Sequence, residues 1–328
     1  MPQSSFAPLA LGAAVVLVVG VGVAGSIVLA NPPECEPVYQ PGSASSLVSL
    51  DEDGTGVLAV NFPTPLKTTG RELSVVVEGE GTPSVPGGSV DFDATAFLGT
   101  TGEFLDSTSY EPRNPTRRVV DADSTDFFSN VLGCVKPGST LVVTTTVEDL
   151  FGPIIESDDI KLTSTVIVVL DIRDTYEAKA TGSPRLPQSG MPTVVTTPEG
   201  VHGVSFPNQP APTELRVSVL KQGDGPAIQE GDFVTTHFTG LTWNTQQIFV
   251  TSFGGGAPLS LVAIESSKSP DGQGVIPGIA QALIGQAVGS QVLVSIPPEL
   301  GYPAGQAPSG VPDGATLVYV FDILGTKN

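Results

Sequence analysis

Most of this 328-residue chain reads as short runs of apolar and β-branched residues between turns rich in Gly and Pro. That pattern belongs to strands. In the first half it predicts strands at residues 56–62, 72–77, 89–97, 140–147 and 164–172. In the second half it predicts them at 214–220, 232–239, 246–251, 259–263, 291–296 and 315–324. Helical spacing interrupts the strands twice. Phe127, Phe128, Val131 and Leu132 set a helix within 123–135, with Asp123 or Ser124 at its cap. Ile279, Leu283 and Ala287, with Ile284 beside them, give one apolar face to a helix that Pro277 opens and Gly289 stops. So short a helix is unstable alone and must rest on the β structure around it.

The two halves also repeat one another. Asn61-Phe62-Pro63, Glu72-Leu73-Ser74-Val75 and Gly79-Glu80-Gly81 are echoed by Ser205-Phe206-Pro207, Glu214-Leu215-Arg216-Val217 and Gly223-Asp224-Gly225. Ala96-Phe97-Leu98-Gly99 answers His237-Phe238-Thr239-Gly240, and the run 165–172 answers 316–323. Many short matches in one order indicate a diverged tandem duplication. Composition shifts to Pro, Gly, Ser and Thr over 175–211, which marks a linker between two domains. The expected organisation is a leading apolar segment at 1–30, a linker at 31–55, a first domain at 56–174, the linker at 175–211 and a second domain at 212–328.

Residues 7–30 carry no charge, and this run is long enough to span a bilayer or serve as an export signal. Either reading puts the remainder outside the cytoplasm. There the only two cysteines, Cys35 and Cys134, are expected to pair as a disulfide. A net charge of −20 with only 14 Lys and Arg leaves no basic face for nucleic acid.

Conventional catalytic sets find little support. The only histidines are His202, in the linker, and His237, which reads as a sheet residue. No nucleophile elbow accompanies them, and no Cys/His cluster has metal-ligand spacing. Asp51, Asp53 and Gly54 begin like a calcium loop but lack its remaining ligands.

Residues 213–324 resemble the FKBP-type peptidyl-prolyl cis-trans isomerases. The resemblance is carried by Gln222-Gly223-Asp224-Gly225, His237-Phe238-Thr239-Gly240, Val275-Ile276-Pro277-Gly278, Val288-Gly289-Ser290, Ile296-Pro297-Pro298, Gly301-Tyr302 and Ala315-Thr316-Leu317-Val318. It implies an α+β fold of two FKBP-like domains, each an antiparallel sheet curled around one short helix, after an N-terminal apolar helix. It implies an isomerase of proline-containing polypeptides that assists folding of exported proteins, inhibited by macrolides and using neither cofactor nor metal. Tyr302, Ile276 and Phe249 take the catalytic positions. Phe238, Leu259, Val275, Ile279, Val311 and Tyr319 take the substrate-binding ones. The prolyl ring is expected over Ile279, with the Ile276 N–H and the Tyr302 O–H each holding a substrate carbonyl.

The segment 265–274 is longer than usual before Val275, Pro303 stands where glycine is usual after the tyrosine, and three pocket positions depart from the family. Phe238 stands where Tyr is usual, Val250 where Asp is usual, and Ile279 where an aromatic, often Trp, is usual. The first copy departs further, with Leu105 for the pocket phenylalanine, Phe151 for the tyrosine, and Ser124-Thr125-Asp126-Phe127 for Val-Ile-Pro-Gly. It is expected to be non-catalytic. The rival expectation is a non-catalytic chaperone or peptide-binding module that keeps the fold alone.

Overall fold

The computed structural model describes residues 37–328 apart from 53–57, 69, 112, 154–159, 271 and 303–304. The apolar run at 7–30 and Cys35 lie outside the described residues. Among the described residues no helix is long and apolar enough to cross a membrane. Cys134 is disulfide-bonded.

The first half begins with a hairpin of β1 (Ser49–Glu52) and β2 (Leu58–Asn61). It continues through β3 (Glu72–Val77), β4 (Ser89–Leu98), β5 (Phe104–Ser107), β6 (Thr116–Val119), α1 (Phe127–Val131), β7 (Thr140–Thr146), α2 (Val147–Phe151) and β8 (Thr165–Tyr176). These strands form an antiparallel sheet ordered β3-β7-β8-β4-β5, with β6 also on β4.

The second half opens with β9 (Ser183–Pro184) and a hairpin of β10 (Thr193–Thr196) and β11 (His202–Ser205). Then come β12 (Arg216–Gln222), β13 (Phe233–Thr242), β14 (Ile248–Thr251), β15 (Leu259–Val262), α3 (Pro277–Leu283), β16 (Gln291–Ile296) and β17 (Leu317–Lys327). Its sheet runs β12-β16-β17-β13-β14, with β15 on β13 and β9 on β12. Apart from β9, the connectivity matches the first sheet strand for strand.

Each sheet buries one face against its short helix. In the second lobe Val234, Phe238, Val292, Val294, Leu317, Tyr319 and Phe321 meet Ile279, Ala282 and Leu283 of α3. Gly278 is required there, because a Cβ would stand 2.3 Å from Ile296 Cγ2. The other face is covered as well. Met191, Val194, Val204 and Phe206 pack over Trp243, Leu293, Val318 and Val320. In the first lobe Ala44, Val48, Leu50 and Val60 do the same over Val142, Ile167 and Val169. The described parts of the stretches expected to be linkers, residues 37–52 and 175–211, are therefore packed covers, with β1 paired to β2 and β10 to β11. Their Pro and Gly content sets turns inside ordered structure, and residues 35–328 form one compact unit.

Strand register corrects part of the repeat. In both lobes the long central strand carries a register shift, between Asp91 and Phe92 in β4 and between Thr235 and Thr236 in β13. Aligning those shifts sets Ala94, not Phe97, at the place of Phe238, and Ala96 at the place of Gly240. Phe97 lies on the opposite face, against Phe62 and Phe104. A displacement of three residues reverses every side chain in a strand.

The helices are shorter than their spacing predicts. Asp126, not Asp123 or Ser124, caps α1 by accepting from the Ser129 N–H at 3.1 Å. α3 ends at Leu283, because Gly285 already has φ of +84°. The sequence pattern also missed β5, β6 and α2, whose exposed or polar residues carry no clear apolar period.

Candidate functional site

The inner face of the second sheet does not close completely over α3. It leaves a cleft of about 1170 Å³. Its floor is Ile279, Tyr319 and Phe321, and its walls are Phe238, Phe249, Val250 and Leu261. Val275, Ile276 and Pro277 border it from the entry to α3, and Tyr302 lines it from the loop that follows β16. Ser266, Glu299 and Gln306 supply polar rim groups.

The aromatic floor is held by close contacts. Tyr319 stacks on Phe321 with centroids 5.4 Å apart and rings within 10° of parallel. Phe249 meets Tyr319 edge-on at 5.7 Å and 87°. Gly240 makes room for both, since a Cβ there would lie 2.7 Å from Tyr319 Cε1 and 3.0 Å from Phe249 Cζ.

Two residues of this lining carry donors of interest. Ile276 is the N-cap of α3, and among the described residues its N–H has no backbone acceptor. Its neighbours are tied down: Val275 N–H donates to Ile264 O at 2.8 Å, and Ser266 N–H donates to Val275 O at 2.9 Å. The Tyr302 hydroxyl lies 3.1 Å from that of Tyr319. Burial, with the neighbouring Tyr302, pushes the Tyr319 phenol far above its usual range, so it stays protonated.

The cleft thus gathers Phe238, Phe249, Val275, Ile276, Ile279, Tyr302 and Tyr319 of the expected site. Leu259 and Val311 of the expected site are not among the residues that line the cleft. Leu259 begins the short edge strand β15 and is 48% exposed, and Leu261, two residues on, supplies the wall instead. Val311 packs against the core cluster, while Gln306, Pro308 and Gly314 line the cleft from its loop. The sequence reading did not select Phe321 or Leu261, because periodicity gives a face but not how far along a strand a cavity reaches. Phe238 and Val250 leave no partnerless polar group on the wall. The loss of both polar residues together makes that wall wholly apolar.

At the equivalent positions of the first lobe, aromatic side chains pack on one another. Phe128, at the position of Ile279, packs on Phe92 at 5.3 Å and on Phe127 at 5.1 Å. The Arg118 guanidinium covers its other side at 5.9 Å from the ring centroid. Ala96 replaces Gly240, so an aromatic pair like Phe249 and Tyr319 has no room.

Both histidines also meet here, beneath the sheet rather than in the cleft. His237 stacks on Phe253 at 4.4 Å, His202 meets the same ring edge-on at 5.1 Å, and His202 Nε2 lies 3.5 Å from Asp322 Oδ2. Burial lowers the His237 imidazole to about 4, so it is neutral near pH 7. A neutral, stacked ring on the covered face has no path to the cleft.

A curled antiparallel sheet over one short helix, with an apolar aromatic cleft at the helix entry, defines a class, and comparison with known proteins identifies it. Residues 225–324 match the family described as FKBP-type peptidyl-prolyl cis-trans isomerase. An "FK506-binding protein" of Streptomyces anulatus is 33% identical over 122 residues, which are 37% of this chain and 93% of that protein. A "Probable FK506-binding protein" of Corynebacterium glutamicum is 31% identical over 122 residues, 37% of this chain and 94% of that protein. Among solved structures, the three FKBP domains of wheat FKBP73 align with 79% of this chain and 95% of that one, at 16% identity and a TM-score of 0.33. The chain belongs to the FKBP family and is a peptidyl-prolyl cis-trans isomerase.

Proposed function

We propose that isomerisation takes place in the cleft over Ile279 and that the clients are exported polypeptides. The observation that carries the reading is a largely apolar cleft bordered by the Ile276 N–H, which has no backbone acceptor among the described residues, and by the Tyr302 hydroxyl. Rotation about an X–Pro bond faces a barrier of about 18–20 kcal/mol, because the planar amide must give up its resonance. The twisted amide is less polar across C–N than the planar one, so a dry surround favours it over water. Phe238, Phe249, Val250 and Tyr319 supply that surround, with the prolyl ring seated over Ile279. The two donors hold the flanking carbonyls while the bond turns. No proton moves and no nucleophile attacks.

The uncharged run at 7–30 and the disulfide at Cys134 support a setting outside the cytoplasm. The relatives named for FK506 binding support macrolide inhibition at the same cleft. The first lobe, where Phe128 packs on Phe92, has the role of a non-catalytic partner. Its preserved fold favours scaffolding or holding of unfolded clients, and a chaperone role for the whole chain is the second reading.

Exchange of an X-Pro peptide, followed by NMR at micromolar protein, tests the first reading. Ile276 has φ of −59°, which proline adopts without strain. Ile276→Pro therefore removes the donor with little change of backbone, and is expected to lower kcat/KM about tenfold or more. A wild-type rate equal to the uncatalysed one would sink the reading in favour of the chaperone role, which an aggregation-suppression assay then measures.

A further inference from the structure

We propose that Tyr319 is a positioning residue for the reaction: its hydroxyl donates to the Tyr302 oxygen and so directs the Tyr302 proton at a substrate carbonyl. The inference rests on the reading above, in which Tyr302 is a donor to substrate.

The two oxygens lie 3.1 Å apart, and distance alone allows either to donate. Burial decides between them. Tyr319 is 2% exposed, and its ring is enclosed by Phe238, Phe249 and Phe321. Among the described residues its hydroxyl has Tyr302 as its one hydrogen-bond partner. If Tyr319 accepted, its own proton would point into hydrocarbon with no acceptor, the arrangement that burial penalises most. Tyr302 is half-buried at the cleft mouth, where water or substrate can take its proton. The order that satisfies both protons is Tyr319 to Tyr302 to carbonyl. A hydroxyl that accepts one hydrogen bond is polarised and becomes a better donor in the next.

The first lobe carries the complementary observation. β8 pairs Val168 with Ala96 and Val143 as β17 pairs Tyr319 with Gly240 and Val294, so Val168 holds the place of Tyr319. Phe151 stands where Tyr302 would be. Both hydroxyls are missing together in the lobe where Phe128 packs on Phe92.

The experiment is a four-protein cycle in the full chain: wild type, Tyr319→Phe, Tyr302→Phe and the double variant, each assayed for kcat/KM on an X-Pro peptide and for its melting temperature. Phenylalanine keeps the stacking on Phe321, so the fold is preserved. Tyr319→Phe is expected to lower kcat/KM about fivefold, the worth of one neutral hydrogen bond, yet by less than about twofold when Tyr302 is already Phe. A purely structural role would lower kcat/KM by the same factor in both backgrounds and would follow the melting temperature. That result, or a Tyr319→Phe enzyme as active as wild type beside an impaired Tyr302→Phe, overturns the inference while leaving Tyr302 its role. A fully active Tyr302→Phe enzyme overturns both. If Tyr319→Phe melts early, the same comparison across the two backgrounds still decides, because loss of stability alone produces no coupling to the Tyr302 hydroxyl.

Discussion

Gly240 shows how a single missing methyl shapes the site. Its backbone lies against both Tyr319 and Phe249, so the T-shaped pair that floors the cleft exists only while position 240 has no side chain. Gly240→Ala is expected to destabilise the chain by about 2 kcal/mol, as overpacking does, and to reduce activity by displacing Phe249. Urea midpoints and kcat/KM together check this, and unchanged values for both would show that the pair can shift freely. Most of the cleft was legible in the sequence at this scale, because Phe238, Val275, Ile276, Ile279 and Tyr302 sit within or beside motifs of fixed spacing. Leu259 misled, because apolar character on an edge strand does not reveal exposure. Phe321 went unnoticed, because it reads equally well as ordinary core.

At the scale of elements, the segment most misjudged from composition is 175–211. Runs of Pro, Ser and Thr suggest a free linker, yet β9 pairs with β12, and the hairpin β10–β11 lays Val194, His202 and Val204 on the sheet. The apolar residues that dock it are sparse and separated by turns, so no window shows a period. This hairpin brings His202 to His237, Phe253 and Asp322, and a dependence on pH follows. Burial first, then the nearby His202 and Arg117, hold the His237 imidazole down at about 4, while Asp322 works the other way. Its value in an unfolded chain is about 6.5. Between those limits the unfolded chain binds the extra proton, so stability rises with pH across the window and is lost as pH falls from about 6.5 to 4. Urea midpoints from pH 7 to 4 should fall more steeply for wild type than for His237→Gln. Parallel curves would mean that the imidazole charges without strain.

At the scale of the whole molecule, one arginine binds the two lobes. Arg117 of β6 forms a double ion pair with Asp91 at 2.6 and 2.8 Å, where Asp91 is almost fully buried. The same guanidinium donates to Pro258 O, Ser260 Oγ and Thr235 Oγ1 in the second lobe. It also lies over the Tyr176 ring at 4.9 Å, and Lys327 pairs with Asp174 nearby. β6 reads as nothing in the sequence, since Thr116-Arg117-Arg118-Val119 has no alternation and a single apolar residue. Its charged residues face a neighbour that only the tertiary fold supplies. Arg117→Met is expected to lower stability by about 3 kcal/mol, because Asp91 is left charged in a buried place. It should also divide a single unfolding transition into two. Asp91→Asn added to Arg117→Met should recover part of the loss, and calorimetry distinguishes these outcomes. A single unchanged transition would mean that the lobes are joined by other contacts.

The paired hairpins bear on where the two lobes divide. β1 and β10 begin at residues 49 and 193, and β2 and β11 at 58 and 202, so the covers are separated by the same 144 positions as β4 from β13 and β5 from β14. Each lobe is therefore a sheet together with its own hairpin cover, and cover and sheet recur at one spacing. A truncation that begins at 212 therefore cuts through the second lobe and strips Met191, Val194, Val204 and Phe206 from its back. The natural seam lies near residue 177, just after β8 ends.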